Sequence, residues 1–345
     1  MKIGILGSGR IIKNQIEAMI ASEYCQPYAI SSRSPDKARV LANTYSLKVY
    51  NNPMELLQDP SIDIVYIGLP NDVHYEWAER CLLSGKHVLV DKPITQYVTE
   101  LLKLRKIVEE TGKLIMEGFM YRTHPVVDKL VEIINHGDIG TIKHIDFTFC
   151  HDISGYLGGK DNYRYYQKEG GGALLDLGIY CVDFFQFFIS KLDDTIHPDE
   201  TEVQILSATQ KKFNFEEISQ VDKDKEPADV TTLASMNYRS SDNEIICNLL
   251  CSFEFMRTVL WIGGTEGNIE VRDLTSQGTK EIRINKYNEV NIIEISGNNT
   301  YAMMYDALYQ SIQNDQPLLI SLKESQKNLR MVDQIIQSAT IVEAE

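Results

Sequence analysis

Residues 2–12 read KIGILGSGRII, an apolar run that stops at two closely spaced glycines and continues into helical spacing. The order of strand, glycine turn and helix is typical of a dinucleotide-binding unit. Gly7 would allow the tight turn, and Gly9 would let the backbone approach a pyrophosphate at the helix N-terminus, where amide donors favour an anion. Ile12 stands at the third glycine position of the G-x-G-x-x-G pattern, which predicts a slightly wider contact between helix and strand. The stretch therefore predicts the start of a Rossmann fold.

Apolar strands and helical patterns alternate as far as residue 117. The predicted strands are 2–6, 27–32, 63–67, 87–91 and 114–117, and the predicted helices are 10–21, 35–45, 73–83 and 98–111. This alternation favours an α/β fold, with a parallel, doubly wound sheet covered by helices on both faces. Ligands of such sheets lie at the carboxyl ends of the strands, so we expect functional side chains there.

The pattern changes after residue 117. Period-two runs follow at 142–150, 202–209, 231–238, 244–253, 258–262 and 268–271, and helical spacing is found at 126–135, 301–312 and 322–342. We expect an α+β domain with a large, mostly antiparallel open sheet. The predicted domains are 1–120 and 121–345, with a C-terminal helix able to pack back on the first domain. The charge-rich segments 193–200 and 223–229 are predicted to be surface connections.

The composition restricts the classes of partner. A chain of 345 residues fits two domains, and its formal charge of -15 argues against nucleic acid and anionic membranes as general partners. The six cysteines form no CxxC pair and the histidines show no metal-ligand spacing, so we expect reduced thiols and no metal site. No secretory segment and no membrane-spanning run of about 18 apolar residues is expected. These features favour a cytoplasmic protein.

The end of the second predicted strand bears on the choice of cofactor. Ser32 and Arg33 stand there, with Lys37 one helical turn later and no acid before Asp36. An acid at this position usually binds a free ribose 2′-OH, whereas an arginine accommodates a 2′-phosphate. The sequence favours NADP(H) over NAD(H), and the alternative is that Arg33 is an ordinary solvated cation.

Residues 170–183 read GGGALLDLGIYCVD and predict a second functional element. Asp176 and Tyr180 are four residues apart, so on a helix they project from nearly the same face. Gly178 between them would cost about 1 kcal/mol relative to alanine, which predicts that a substrate or cofactor ring approaches the backbone there. The alternative is a buried helix whose phenol and carboxylate satisfy each other or a nearby turn.

Lys92 directly follows the strand predicted at 87–91 and precedes Pro93. Proline disfavours the α region for the residue before it, so the chain is expected to turn sharply there. A lysine between a buried strand and a proline is expected to face the ligand crevice rather than to be a surface charge.

Five motifs in order along the chain resemble the Gfo/Idh/MocA family, which includes glucose-fructose oxidoreductase and inositol dehydrogenase. They are GILGSGRI at the N-terminus, LPNDVH at 69–74, VLVDKP at 88–93, EGFMYRTHP at 117–125 and GGGALLDLGIY at 170–180. The combination of DKP with GGGxLxDxGxY is specific, although each motif alone is not. Tyr180 replaces the commoner histidine, as in the branch of dimeric dihydrodiol dehydrogenase, xylose dehydrogenases and nucleotide-sugar 3-ketoreductases, whose members favour NADP(H).

The resemblance implies a catalytic set of Lys92, Tyr180 and Asp176, with Lys92 at the nicotinamide and the substrate. Asp91 replaces the usual glutamate of the lysine motif, and this shorter carboxylate would hold Lys92 differently. The resemblance also implies a homodimer or homotetramer formed through the C-terminal sheet.

The remaining predicted contacts are at the glycine turn, the strand ends and the start of the second domain. The predicted cofactor-binding residues are Gly7, Ser8, Gly9, Arg10, Ile11, Ser32, Arg33, Lys37, Leu69, Pro70, Asn71, His74, Asp91, Lys92 and Pro93. The predicted substrate-binding residues are Met120, Arg122, His151, Tyr163 and Arg164.

The predicted function is an NADP(H)-dependent oxidoreductase acting on a secondary alcohol, ketone or hemiacetal carbon of a sugar or sugar derivative, with nucleotide-linked keto-sugars among the candidates. The substrate oxygen needs a proton partner, because an unstabilised alkoxide is too costly. Tyr180 is the first candidate and Lys92 the second, and Asp176 would orient the substrate or Lys92. One alternative is a trans-dihydrodiol or aldose (xylose or glucose) dehydrogenase. Another is a non-catalytic, cofactor-sensing regulator, which predicts a broken site, whereas all three catalytic residues are present.

Overall fold

The computed structural model describes residues 1–155, 162–192, 202–218, 221–239 and 243–342. The predicted connection at 193–200 lies outside the described residues. The chain divides into two compact units. The first unit is Met1–Thr123 with Asn299–Gln326, and the second is His124–Asn298 with Lys327–Glu345.

The first unit contains a parallel six-stranded sheet in the order β3-β2-β1-β4-β5-β6, which confirms the doubly wound fold. The strands are β1 (Lys2–Leu6), β2 (Gln26–Ser31), β3 (Lys48–Tyr50), β4 (Ile64–Ile67), β5 (His87–Val90) and β6 (Ile115–Glu117). The helices between them are α1 (Arg10–Ala21), α2 (Pro35–Tyr45), α3 (Pro53–Gln58), α4 (His74–Leu83) and α5 (Val98–Thr111). Strand β3 and helix α3 were not predicted, because elements this short show too little hydrophobic periodicity.

The second unit is built on a nine-stranded sheet in the order β14-β13-β12-β11-β7-β10-β9-β8-β15. Its strands are β7 (Ile142–Cys150), β8 (Glu202–Lys212), β9 (Asp229–Arg239), β10 (Glu244–Ser252), β11 (Arg257–Gly264), β12 (Gly267–Arg272), β13 (Lys280–Lys286), β14 (Glu289–Ile295) and β15 (Ala339–Val342). The other α-helices among the described residues are α6 (Pro125–Asn135), α7 (Ile179–Ile189), α8 (Thr300–Asn314) and α9 (Leu322–Ser338). The β7/β10 and β8/β15 pairs are parallel and the other pairs are antiparallel, so the expected mostly antiparallel sheet is confirmed.

Helix α7 covers one face of this sheet. Phe184 of α7 meets Phe147 of β7 edge to face, with ring centroids 5.5 Å apart, and both side chains are buried. The neighbouring side chains of β7 and β10 on this face, Ile145, Cys247 and Leu249, are also buried. Burial of one face only is what the period-two pattern of these strands requires.

Helix α8 packs on the parallel sheet unit. The Tyr305 hydroxyl donates to Gln15 Oε1 of α1 at 2.6 Å. The ring of Tyr309 stacks on Tyr24 with centroids 4.4 Å apart. These contacts explain why a late segment of the chain belongs to the first unit.

The last predicted helix, 322–342, was wrong at its C-terminal end. Helix α9 ends at Ser338, and the chain continues as β15, parallel to β8 with Ala339 opposite Ala208. The residues of β15 read ATIV, and β-branched side chains favour a strand once an edge is available for pairing. Helical spacing alone could not reveal that edge.

The expectation that no segment could span a membrane also needs correction. Residues Gln167–Ile189 contain a window with mean hydropathy 1.5, long and apolar enough to cross a bilayer. However, 78% of that window is buried inside the protein, as in a core helix. Its apolar character follows from its packing on the nine-stranded sheet.

Candidate functional site

The glycine turn after β1 leaves the start of α1 open. Gly7 has a φ of 123°, and its N–H donates to Ser31 O at 2.9 Å. A Cβ at Gly7 would collide with Gly68 O, so only glycine fits this turn. Gly9 precedes α1 without a side-chain cap, and a Cβ there would meet no described atom within 4 Å. The space beside Gly9 at the start of α1 is therefore open, as a phosphate-binding turn requires.

Ile12 occupies the position where the motif usually has its third glycine. The side chain is fully buried, and a Cβ at Gly68 would lie 2.7 Å from Ile12 Cδ1. Gly68, just after β4, therefore supplies the room that Ile12 needs. The compensation comes from a different strand, so it could not be read from the glycine motif.

The glycine turn is tied to the end of β2. Ser8 Oγ and Ser32 Oγ are hydrogen-bonded at 2.7 Å, and Ser32 Oγ accepts from Ser34 N at 3.1 Å. Arg33 and Lys37 are exposed, and neither side chain forms a hydrogen bond or ion pair with another residue in the described part of the chain. Both cations thus remain available to an anionic group beside the glycine turn.

The corner at Lys92, which follows β5, is held by two carboxylates. Asp91 Oδ1 accepts from Lys92 N at 3.3 Å. On the other side of Pro93, Ile94 N donates to Glu117 Oε1 at 2.9 Å, and Glu117 is 1% exposed. The Lys92-Pro93 peptide bond is cis. The backbone on both sides of Lys92 is therefore bonded to carboxylates from β6 and from the corner itself.

His74, which was predicted to bind the cofactor, is buried against the loops that follow β4 and β5 and is not exposed on the surface. The side chain is fully buried. Its Nδ1 is 2.7 Å from Pro93 O and its Nε2 is 2.9 Å from Leu69 O. Burial lowers the pKa of His74, although the two carbonyls and the Asp91 carboxylate oppose that shift. Any effect of His74 on a ligand must therefore pass through the backbone that it contacts.

In the second unit, the glycines of the GGG stretch make room for protein atoms. Gly172 has a φ of 102°, and a Cβ there would collide with Asp229 Oδ1. The Asp229 carboxylate accepts from Leu174 N at 2.9 Å and from Thr232 Oγ1 at 2.7 Å. Asp229 therefore caps the helical segment that carries Asp176. Burial raises the pKa of Asp229.

The prediction that 223–229 is a surface connection was wrong for Asp229, which is 6% exposed. No local signal distinguishes this aspartate from its charged neighbours. Its role depends on the approach of β9 to the glycine stretch, which is a contact between distant parts of the chain.

Asp176 forms an ion pair with a predicted substrate-binding residue. Arg164 Nε donates to Asp176 Oδ2 at 2.7 Å, and the guanidinium lies 4.8 Å from the centroid of the Tyr163 ring. Asp176 lies in a five-residue π-helix, Leu174–Gly178, which leads into α7. Such π-helical turns are frequent at functional sites. The structure thus brings Tyr163, Arg164 and Asp176 together.

Tyr180 and Gly178 lie at the start of α7. Tyr180 is mostly buried, and its ring meets Phe149 edge to face at 5.5 Å. A Cβ at Gly178 would lie 2.9 Å from Cys251 Sγ and 2.8 Å from Leu174 Cδ1. The expected approach of a substrate or cofactor ring to Gly178 was therefore wrong, because protein side chains occupy that space.

The other predicted substrate-binding residues are Met120, Arg122 and His151. The Arg122 side chain is buried, and its Nη1 donates to Leu319 O at 3.0 Å and to Glu324 Oε1 at 2.7 Å. Burial acts to raise the pKa of Glu324, but the Arg122 charge and the hydrogen bonds from Ser321 and Arg122 together outweigh it, so the pKa lies below its usual value. Met120 is buried and His151 is half-buried. The ion pair gives Arg122 a structural role in the first unit.

Comparisons with known proteins match both units. The family model described as an oxidoreductase family with an NAD-binding Rossmann fold, GFO_IDH_MocA, matches residues 1–119. The model of the GFO/IDH/MocA C-terminal domain matches residues 127–270.

Two curated relatives illustrate the range of similar proteins. A dTDP-3,4-didehydro-2,6-dideoxy-alpha-D-glucose 3-reductase of Streptomyces violaceoruber is 32% identical over 52% of this chain and 52% of its own length. A D-xylose 1-dehydrogenase (NADP(+)) of Haloferax volcanii is 33% identical over 56% of this chain and 58% of its own length. The chain spans about half the length of the curated relatives it matches.

The solved structures that resemble this chain include one that covers its full length. A 3-ketoreductase from Actinomadura kijaniata, in complex with NADP and TDP-benzene, has a TM-score of 0.85 and 21% identity, covering 100% of this chain and 99% of its own. This likeness concerns the fold alone. The alternative of a non-catalytic regulator finds no support in these matches.

Proposed function

The chain belongs to the Gfo/Idh/MocA oxidoreductase family, and we propose that it is an NADP(H)-dependent oxidoreductase acting on an alcohol or ketone carbon of a sugar derivative. Nucleotide-linked keto-sugars are the first candidate substrates, in keeping with the related 3-reductase. The observation that carries the proposal is the open start of α1 behind Gly7, which fits the pyrophosphate of a dinucleotide.

The preference for NADP(H) rests on the end of β2. Ser32 is tied to the glycine turn, and Arg33 and Lys37 are exposed beside it without partners among the described residues. A 2′-phosphate would give this pair of cations a charge-assisted partner, whereas a free 2′-OH would not.

The chemistry that NADP(H) supplies when bound is the donation or acceptance of a hydride. We assign the accompanying proton on the substrate oxygen to Tyr180, whose ring is held by Phe149. Lys92 is the other candidate, and its backbone is fixed on both sides of Pro93. Asp176, oriented by Arg164, is assigned to hold a substrate hydroxyl.

A substrate panel tests the proposal. Purified protein is expected to oxidise NADPH with nucleotide-linked keto-sugars, measured as loss of absorbance of the reduced nicotinamide, and Lys92→Ala is expected to slow that loss. Reduction of NADP⁺ by trans-dihydrodiols, xylose or glucose, with no reaction of the keto-sugars, would favour the dehydrogenase alternative. Binding of NADPH without turnover of any panel member would contradict the proposed function.

We also propose a cytoplasmic location. All six cysteines are buried and free, which suits a reducing compartment.

We further propose that the protein is a homodimer or homotetramer that assembles through the open face of the nine-stranded sheet. Side chains in register across eight strands form one row on the face opposite α7. The row consists of Ile292, Arg283, Glu270, Trp261, Asp146, Asn248, Ser235 and Ser207. Leu233 and Ile292 on this face are 50% and 47% exposed. A face with a central tryptophan, apolar side chains and both charges is suited to a second copy of itself.

Trp261→Glu is expected to convert the assembly to monomers at micromolar concentration, because central aromatic residues typically contribute about 2–4 kcal/mol to such interfaces. Sedimentation velocity would measure the change. Tyr287→Glu is the matched control, because this side chain is 83% exposed at the tip of the β13/β14 hairpin. A monomeric wild type, or identical sedimentation of wild type and Trp261→Glu, would refute the proposed interface.

A further inference from the structure

Two neighbouring strands of the parallel sheet end side by side and lead into two predicted functional loops. Ile67 at the end of β4 is paired with Val90 at the end of β5. The chain after β4 continues through Leu69, and the chain after β5 continues through Lys92 and Pro93. The relative position of these loops decides where the lysine is presented.

The imidazole of His74 contacts the backbone of both loops. His74 is the first residue of α4, and its fully buried ring lies 2.7 Å from Pro93 O through Nδ1 and 2.9 Å from Leu69 O through Nε2. Carbonyl oxygens only accept hydrogen bonds, so the ring must act as the donor. A ring with a single N–H can donate to one carbonyl, and the shorter contact assigns that hydrogen to Nδ1. A second proton would engage Leu69 as well.

We propose that His74 is a positioning residue for Lys92. The imidazole donates Nδ1–H to Pro93 O and so fixes the corner that presents the lysine. The bond acts together with the contacts of Asp91 and Glu117 on the same corner. This inference rests on the proposed role of Lys92. His74 itself does not touch the substrate.

The groups around the ring are consistent with this role. Asp91 and Lys92 are the charged groups that act on the imidazole, with opposite signs. Burial and the charge of Asp91 raise the pKa of both Tyr301 and Tyr305 of α8. Because the charges of Asp91 and Lys92 act on the imidazole in opposite directions, the contact that decides the role of His74 is the hydrogen bond to Pro93 O.

Two amide substitutions separate the two contacts of the ring. The amide nitrogen of asparagine lies where Nδ1 lies in histidine, and that of glutamine reaches the place of Nε2. His74→Asn is expected to keep kcat within about threefold, because it can still donate to Pro93 O. His74→Gln and His74→Leu are expected to lower kcat about tenfold, the effect of one lost buried hydrogen bond, with the NADPH dissociation constant changed much less.

The control is another histidine of the same sheet. His87 begins β5, at the opposite end of the strand from Lys92, and its Nδ1 accepts from Leu114 N at 3.1 Å. His87→Asn is expected to leave kcat and the NADPH dissociation constant within about twofold of wild type. Equal losses of kcat in His74→Asn and His74→Gln, or wild-type kcat in His74→Leu, would overturn the inference.

A measurement on the unmodified protein covers the case in which the variants do not fold. Nitrogen-15 correlation spectra of the labelled histidine rings should show hydrogen on Nδ1 of His74. Hydrogen on Nε2 alone would overturn the assignment. If Lys92→Ala kept full turnover, the proposed role of Lys92 would fail instead, while the tautomer of His74 would still be decided by the spectrum.

Discussion

Replacement of Tyr180 by phenylalanine is expected to lower kcat by about 10²- to 10⁴-fold, the typical contribution of general acid and base catalysis. The expected change in NADPH affinity is small, because the variant keeps the ring and its contact with Phe149. Steady-state kinetics on the substrate identified by the panel, with NADPH binding measured separately by fluorescence, would distinguish the two effects.

The matched control for this variant is Tyr165→Phe. Tyr165 is buried in the same unit, and its ring packs edge to face on Phe213, so loss of its hydroxyl tests for a general effect on the fold. Turnover of Tyr165→Phe is expected to equal that of wild type. Full turnover by Tyr180→Phe would show that the proton comes from elsewhere, and a more severe defect in Lys92→Ala would then identify the lysine.

Replacement of Arg33 by aspartate is expected to lower kcat/KM with NADPH by about 10- to 150-fold, the effect of losing hydrogen bonds to a charged group worth about 1.5–3 kcal/mol. The value with NADH is expected to stay level or rise, because an acid at this position can bind a free 2′-OH. The ratio of the two kcat/KM values measures the cofactor preference directly.

Arg39→Asp is the control for the change in net charge. Arg39 lies on α2, the helix that follows Arg33, and pairs with Asp36 at 3.0 Å on an exposed surface. Its replacement is expected to leave the NADPH/NADH ratio unchanged. Equal effects of Arg33→Asp on both cofactors would identify Arg33 as an ordinary surface cation.

The parallel sheet unit was largely predictable from local signals. The bounds of β1, α1, α2 and α5 agree with the predicted ones, because glycine turns, a proline at the start of α2 and strong periodicity mark these elements. The three-residue strand β3 carries none of these signals. It forms because β2 offers an edge to pair with.

The mostly antiparallel sheet of the second unit was predictable from the sequence, but the number and the pairing of its strands were not. Strand β7 has the predicted bounds, and its buried and less buried side chains alternate from Ile145 to Thr148. Strand β14 was missed, since most of its residues are exposed on both faces and give no such alternation. The parallel pairing of β7 with β10 depends on contacts between distant segments, which periodicity does not report.

By itself, the sequence determined the class of the protein: the Rossmann unit from its glycine turn, the family from the DKP and GGGxLxDxGxY motifs, and the candidate residues Lys92, Asp176 and Tyr180. These depend on patterns within a few residues of one another. Only the tertiary structure decided what surrounds those residues, as in the carboxylate of Asp229 at Gly172 and the sulfur of Cys251 at Gly178. Each of these contacts joins segments far apart in the chain, and their energy comes from burial and from polar groups that must find partners, which no local pattern specifies.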